Sequence, residues 1–260
     1  MTEENRLRRR YQRAEEYPSR RFTPRDGRII NWVYRMRFLS RQQIQRLEFP
    51  PNQARYCRAR LRWLYDEGYL DRRRMDLYTG FGANMPIYCL DEKGAEWIAL
   101  NQKMDSSELD WRPRDNQVKI YFMEHTLAIN DFWIDIVLAT REGEQTLVRW
   151  IDERTLKSDE MKDYVEDPGG SGRISIIPDG YFCLALPDGR KACFALELDR
   201  GTVTRDRWKT KIRGYVEYTK SGRYEERYGT PSLRVLTVVG AARRAGTLEE
   251  EERKIRRRME

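Results

Sequence analysis

Residues 174–199, ISIIPDGYFCLALPDGRKACFALELD, decide how the rest of the chain is read. Ile174 to Leu186 reads as one strand, Pro187-Asp188-Gly189 as a tight turn, and Arg190 to Asp199 as a second strand. A three-residue hairpin loop puts Gly in the left-handed position, where the missing Cβ removes a clash, and Pro presets the first dihedral. That loop pairs Leu186 with Arg190. Counting outward sets Cys183 against Cys193 and Asp179 against Glu197. Side chains alternate along a strand, so Asp199 shares the face of Glu197. Two opposed carboxylates cost about 0.2–1 kcal/mol when exposed, and more when buried. A cation between them reverses the sign. The two readings are a metal site and a solvated acidic rim.

The chain has 260 residues, enough for one large or two modest domains. It carries 50 Lys and Arg against 42 Asp and Glu, so its net charge is 50 − 42 = +8. Aromatic residues make up 12%, which supports a packed core despite the high charge content. The basic balance favours a polyanion, with nucleic acid first, and does not choose between DNA and RNA. The spacing of Cys57, Cys89, Cys183 and Cys193 matches no zinc pattern. A Cys183–Cys193 disulfide across the hairpin is weighed against two reduced core thiols, and the reduced state is the expectation in a cytosolic protein. No apolar run follows Met1-Thr2-Glu3-Glu4-Asn5-Arg6. The expectation is a cytoplasmic protein with no signal peptide and no membrane span.

Residues 1–25 are read as a basic arm, with Arg6, Arg8, Arg9, Arg10 and Arg13 crowded together and Arg20-Arg21 following. It is either a solvated tail or an arm that lies on phosphates. Residues 26–101 carry a winged-helix pattern. Ile29, Ile30 and Val33 share one helix face, and Ser40-Arg41-Gln42-Gln43 forms a capping box. Pro50-Pro51 stops the second helix, and Asn52 is expected to cap a third. That third helix has Ala54, Cys57, Leu61, Leu64 and Tyr65 on one side, with Arg55, Tyr56, Arg58 and Arg62 elsewhere. Trp63 points away from the apolar stripe. Strands at Tyr69–Arg74 and Pro86–Leu90 flank a loop rich in Gly and Asn. Three helices and a basic hairpin are the order of a winged helix-turn-helix. The third helix would enter the major groove, and Arg72, Arg73 and Arg74 would meet phosphate at the wing. A protein-docking winged helix is the alternative.

Residues 102–117 lack periodicity and are polar, so they are the expected linker. Residues 118–240 alternate as helix, strand, hairpin, helix and strand. In the helix beginning near Glu124, that residue, Asp131 and Asp135 line one face. This face is either a further carboxylate source or a wet side. His125, the sole histidine, is read as a structural donor or cap. Lys157 to Gly172 is expected to be a long polar loop, and Leu233 to Val239 a central strand covered on both faces. Trp208, Ile212 and Tyr215 form the buried stripe of the helix after the hairpin, with Lys211 at its edge. Residues 241–260 are a charged helical tail. The fold class is therefore α+β, a winged helix followed by a domain with the element order of the PD-(D/E)XK nucleases.

His125-Thr126-Leu127-Ala128-Ile129-Asn130-Asp131-Phe132, Pro178-Asp179-Gly180, Glu197-Leu198-Asp199-Arg200-Gly201-Thr202, Lys211 and Tyr215 together resemble the replication-relaxation family. The resemblance covers roughly Arg28 to Val239. Its members are plasmid and mobile-element proteins with an N-terminal winged helix, related to mobilisation relaxases with a nuclease-like fold. The resemblance implies binding of double-stranded DNA near an origin, with nicking or relaxation as the activity. Asp179 and Glu197 match the metal-binding acids, joined by Asp199 or Asp131, and the ion would be Mg²⁺ or Mn²⁺. Asp199 stands where the nuclease pattern keeps a lysine, and Lys211 from the next helix is the spatial substitute. Asp179, Glu197, Asp199 and Lys211 are thus the candidate catalytic residues. Tyr215 and Tyr218 are available for covalent relaxase chemistry, which is disfavoured because one histidine cannot build a multi-histidine metal site. The rival reading is an origin-binding or regulatory protein with an inactive nuclease-like scaffold. A docking adaptor is the third. Replication or conjugation proteins and a second copy of the chain are the other partners considered.

Overall fold

The computed structural model describes residues 11–74, 86–170, 172–201 and 203–239. The expectations for Arg6, Arg8, Arg9 and Arg10, for the Gly- and Asn-rich loop and for the charged tail lie outside the described residues. The chain is mixed α+β and divides into two compact units, residues 1–135 and 136–260.

In the first unit, helix α1 (Pro24–Met36) buries Ile29, Ile30 and Val33, the face its spacing anticipates. Strand β1 (Leu39–Ser40) leads into α2 (Arg41–Glu48) through the expected capping box. Ser40 Oγ accepts the Gln43 N–H at 3.2 Å, and Gln43 Oε1 accepts the Ser40 N–H at 2.9 Å. Asn52 does not cap the next helix. Pro51–Gln53 forms a 3-10 turn instead, because Pro51 has its φ set for a helical first turn, and α3 (Ala54–Asp66) follows. Helix α3 buries Cys57, Leu61, Leu64 and Tyr65. Strands β2 (Leu70–Arg74) and β3 (Pro86–Leu90) complete an antiparallel sheet of order β1-β3-β2, and α4 (Glu92–Gln102) closes it.

The polar segment 102–117 belongs to this unit. Leu109 is buried, and the Asn116 side chain donates to the Leu90 carbonyl at 2.8 Å. The division between units falls inside the long helix α5 (Ile120–Glu142). Its first half joins the core of Phe38, Ile87 and Cys89 through Met123 and Leu127. Asn130 donates to the Phe38 carbonyl at 2.8 Å, which fixes the helix over the exit of α1. The described part of the basic arm is pinned to the unit. Tyr65 Oη donates to the Tyr11 carbonyl at 2.7 Å, and the Ala14 N–H meets Asp66 at 3.0 Å.

The second unit contains β4 (Thr146–Asp152), the short helix α6 (Glu153–Leu156), β5 (Asp163–Glu166), β6 (Arg173–Ile176), β7 (Gly180–Ala185), β8 (Lys191–Asp199), α7 (Arg205–Lys220), α8 (Arg223–Tyr228) and β9 (Arg234–Val239). The main sheet has the order β4-β7-β8-β9, with β9 parallel to β8, while β5 and β6 form a separate ribbon. Three expectations are corrected here. The strand expected over Ile174–Leu186 is two strands in two sheets, broken at Pro178, which has no N–H for a ladder. The loop expected over Lys157–Gly172 contains β5, whose Asp163 accepts hydrogen bonds from Tyr218 and, at 2.8 Å, from Arg227. Strand β9 lies at the sheet edge among the described residues, so its apolar run does not mark a central strand.

The hairpin register is as anticipated. Gly180 pairs with Leu196 and Cys183 with Cys193, and Gly189 sits at φ +82° in the turn. Cys183 and Cys193, whose Cα atoms are 4.1 Å apart, form a disulfide, against the expectation of free thiols. Direct opposition on one face brings the two sulfurs together. Helix α7 lies close over β6. A Cβ at Gly214 would meet Ile174 Cγ2 at 2.7 Å and Ile176 Cδ1 at 2.9 Å, so this contact requires glycine. No helix among the described residues is long and apolar enough to cross a membrane.

Candidate functional site

Asp179 sits at the entrance to β7, directly before the residue that pairs with Leu196, so it lies opposite Glu197 on β8. Pro178 forces the break that ends β6, and Gly180 starts β7 against the Trp150 ring, with a Cβ position only 3.2 Å from it. Asp179 accepts the Leu198 N–H on Oδ2 at 2.7 Å, which orients its carboxylate across the hairpin. Glu197, Asp199 and Asp179 are all buried.

Glu197 has two further neighbours on α7. Lys211 and Tyr215 are one turn apart and therefore share a face of that helix. The Lys211 ammonium donates to Glu197 Oε2 and the Tyr215 phenol to Oε1. Burial pushes the Glu197 carboxyl up to about 7; Lys211 pulls it down and the Asp179 charge pushes it further up. Burial and the Glu197 charge raise the Tyr215 phenol well above its ordinary value. Tyr215 therefore acts as a donor to Glu197 across the neutral pH range.

Asp199 has a different task. Its Oδ1 accepts the N–H groups of Gly201 at 2.8 Å and Val203 at 3.3 Å, shaping the turn that launches α7. Sequence reasoning passed over Glu153, at the start of α6. One of its carboxylate oxygens lies within 4.8 Å of one from Asp179. Its signal was faint, a lone acid after a strand. Asp131 lies in the first unit, 3.7 Å from the Arg46 guanidinium, and burial raises its carboxyl.

Asp179 opposes Glu197 across the hairpin and has Glu153 near it, and carboxylate oxygen is the ligand chemistry preferred by Mg²⁺ and Mn²⁺. Desolvation and the facing Asp179 charge disfavour the charged form of Glu197, and Lys211 offsets that cost. The residues present fit such an ion.

In the first unit, the arginines of the expected DNA surface separate into inward and outward groups. Arg55, Tyr56 and Arg58 project to solvent from α3, with Tyr56 47% exposed. Its ring stands edge-on to Phe49, 5.9 Å between centroids. Arg62 is turned back on the chain, donating to Asp66 at 2.7 Å and to the Gln12 carbonyl at 2.9 Å. Arg74 is exposed and Arg73 half-buried. Arg72 is buried, its guanidinium 4.5 Å from the Tyr65 ring centre and 5.2 Å from that of Tyr88. Burial pulls its pKa down, as expected of a cation packed away from water. Alternation along β2 accounts for this, since Arg72 shares its face with buried Leu70. Trp63 is also buried, beneath the Arg60 guanidinium at 4.4 Å.

No curated protein and no solved structure matches the chain. The family model for replication-relaxation proteins matches residues 30–233, a span that runs from α1 to the approach to β9 and takes in Asp179, Glu197, Lys211 and Tyr215. This chain belongs to the replication-relaxation family.

Proposed function

We propose that the protein is a DNA-binding strand nickase of plasmid or mobile-element replication and relaxation, dependent on Mg²⁺ or Mn²⁺. The observation that carries this reading is the convergence of Asp179, Glu197 and Lys211 from three separate elements onto one buried point. Family membership supports a role in replication or relaxation. The order of β4, β7, β8, α7 and β9 supports a nuclease-like core of the PD-(D/E)XK type.

In this reading Asp179 and Glu197 would hold the ion, and Glu153 is the further carboxylate near Asp179. A bound divalent ion would supply Lewis-acid activation of water and charge stabilisation at the phosphate. Lys211 carries the positive charge that meets the scissile phosphate. Tyr215 keeps Glu197 oriented by donating to Oε1, and Asp199 keeps the α7 turn in shape. The first unit acts as a winged helix. Arg55, Tyr56 and Arg58 of α3 face the major groove, and Arg73 and Arg74 approach the backbone beside the wing. Arg62 and Arg72 support that surface from within.

The test is supercoiled plasmid incubated with the protein and Mg²⁺ or Mn²⁺. Nicked circles that vanish with Glu197→Ala and Asp179→Ala support the nickase. Tight duplex binding with no nicking under either metal overturns it. One observation favours a second reading, an origin-binding protein with an inert scaffold. Both Glu197 oxygens already have protein partners, so the buried charge is compensated from within the fold. The plasmid assay separates the two.

A further inference from the structure

Glu197 is 2% exposed and cannot keep its charge in that position without a cation. Its two protein partners differ in one respect. Tyr215 is packed into the core with Tyr181, Cys193 and Ile176, so its phenol stays on Oε1 unless the core opens. Lys211 reaches Oε2 from the rim, with its side chain 34% exposed. An ammonium on a four-carbon stem can withdraw to water while the helix stays in place. A divalent ion shared by Asp179 and Glu197 requires an oxygen of Glu197, and Oε2 is the one whose occupant can leave.

We infer that Lys211 is a displaceable resident cation: it holds the Glu197 charge in the metal-free protein, yields Oε2 when a divalent ion binds, and turns its ammonium outward to receive a DNA phosphate. The inference rests on the metal reading of this site. It adds that metal loading and presentation of the phosphate-binding charge are one event. Two cations competing for one oxygen weaken each other by the same factor, so removing the lysine must strengthen the metal.

The experiment titrates Mn²⁺ alone into the full-length protein by calorimetry, beside Lys211→Gln and Lys211→Met. Both variants are expected to bind Mn²⁺ about tenfold tighter than the wild type. Equal or weaker binding overturns the inference. A second measurement leaves the wild-type fold untouched. Lys211 is acetylated with a lysine-selective reagent with and without Mn²⁺, and Lys209 on the same helix is the internal reference. Mn²⁺ is expected to raise Lys211 labelling several-fold relative to Lys209, in line with release of a paired ammonium. Unchanged or reduced labelling overturns the inference. If Mn²⁺ binds the wild type while labelling and variant affinities stay flat, only the displacement fails. If none of the proteins binds Mn²⁺, the metal reading falls and the inference falls with it.

Discussion

Each unit of the protein buries a carboxylate and brings a basic side chain to it, and the two pairs are built differently. In the first unit Asp26 is 0% exposed and Arg60 5%. Arg60 Nε donates to Asp26 Oδ1 at 2.5 Å, its second nitrogen donates to Oδ2, and Thr23 adds its N–H and hydroxyl, both at 2.6 Å. The same guanidinium meets the Arg21 carbonyl at 2.7 Å. A planar fork closed on every side locks α1 to α3 and leaves no oxygen for a ligand. In the second unit Glu197 is as deeply buried, but its cation is a point charge on a flexible stem that reaches water. A buried acid closed by arginine is a strut. One closed by a rim lysine and a core tyrosine can exchange its cation.

The largest expected effect tests that contrast directly. Arg60→Ala strands Asp26 without a counter-ion and should destabilise the first unit by about 3–5 kcal/mol in urea unfolding. Lys211→Ala should cost clearly less, because water reaches Glu197 Oε2 once the lysine is gone. Equal losses would break the comparison. Arg60→Lys is expected to recover little, since an ammonium cannot span both Asp26 oxygens.

Next comes pH. The folded Glu197 carboxyl sits near 7, above its ordinary 4.5. A raised carboxyl binds its proton more tightly in the folded state, so its stabilising effect is complete below about 4.5 and is lost as pH rises through about 7. Stability of the wild type should fall across that window by on the order of 3 kcal/mol relative to Glu197→Gln, which cannot ionise. Parallel pH profiles for the two proteins would show that Glu197 does not titrate there. Tyr215→Phe removes one donor from the buried acid and should cost about 1–2 kcal/mol. Because it also loosens Glu197, its nicking should fall further than its stability.

The smallest expected effects on stability are at the surface. Arg55→Ala and Arg58→Ala should change unfolding by about 0.5 kcal/mol or less. Each should lower duplex affinity and flatten its salt dependence by about one unit of slope, read by fluorescence anisotropy across salt concentrations. Arg72→Ala should do the reverse, destabilising the fold while leaving the slope intact. A matching slope change in Arg72→Ala would place its guanidinium on DNA after all.

How far the sequence reaches depends on the range of the interaction. Turn chemistry and the two-residue period of a strand are local, so Pro187-Asp188-Gly189 alone determined that Cys183 faces Cys193 and Asp179 faces Glu197. Capping chemistry is local as well, and Ser40 and Gln43 meet as their spacing demands. Family membership was legible in the same way, from short runs around the acids. Tertiary structure decided which cation meets which acid, because that depends on packing between elements far apart in sequence. Arg60 and Arg72 turn inward while Arg55 and Arg58 turn out, although all four look alike in a basic run. The division of Ile174–Leu186 between two sheets waited on β5, a partner hidden in a polar stretch. The sequence by itself determined that two carboxylates oppose each other. Only the folded chain, by packing α7 against β5 and β6, set Lys211 and Tyr215 on one of them, because a helix face finds its target through burial rather than through local rules.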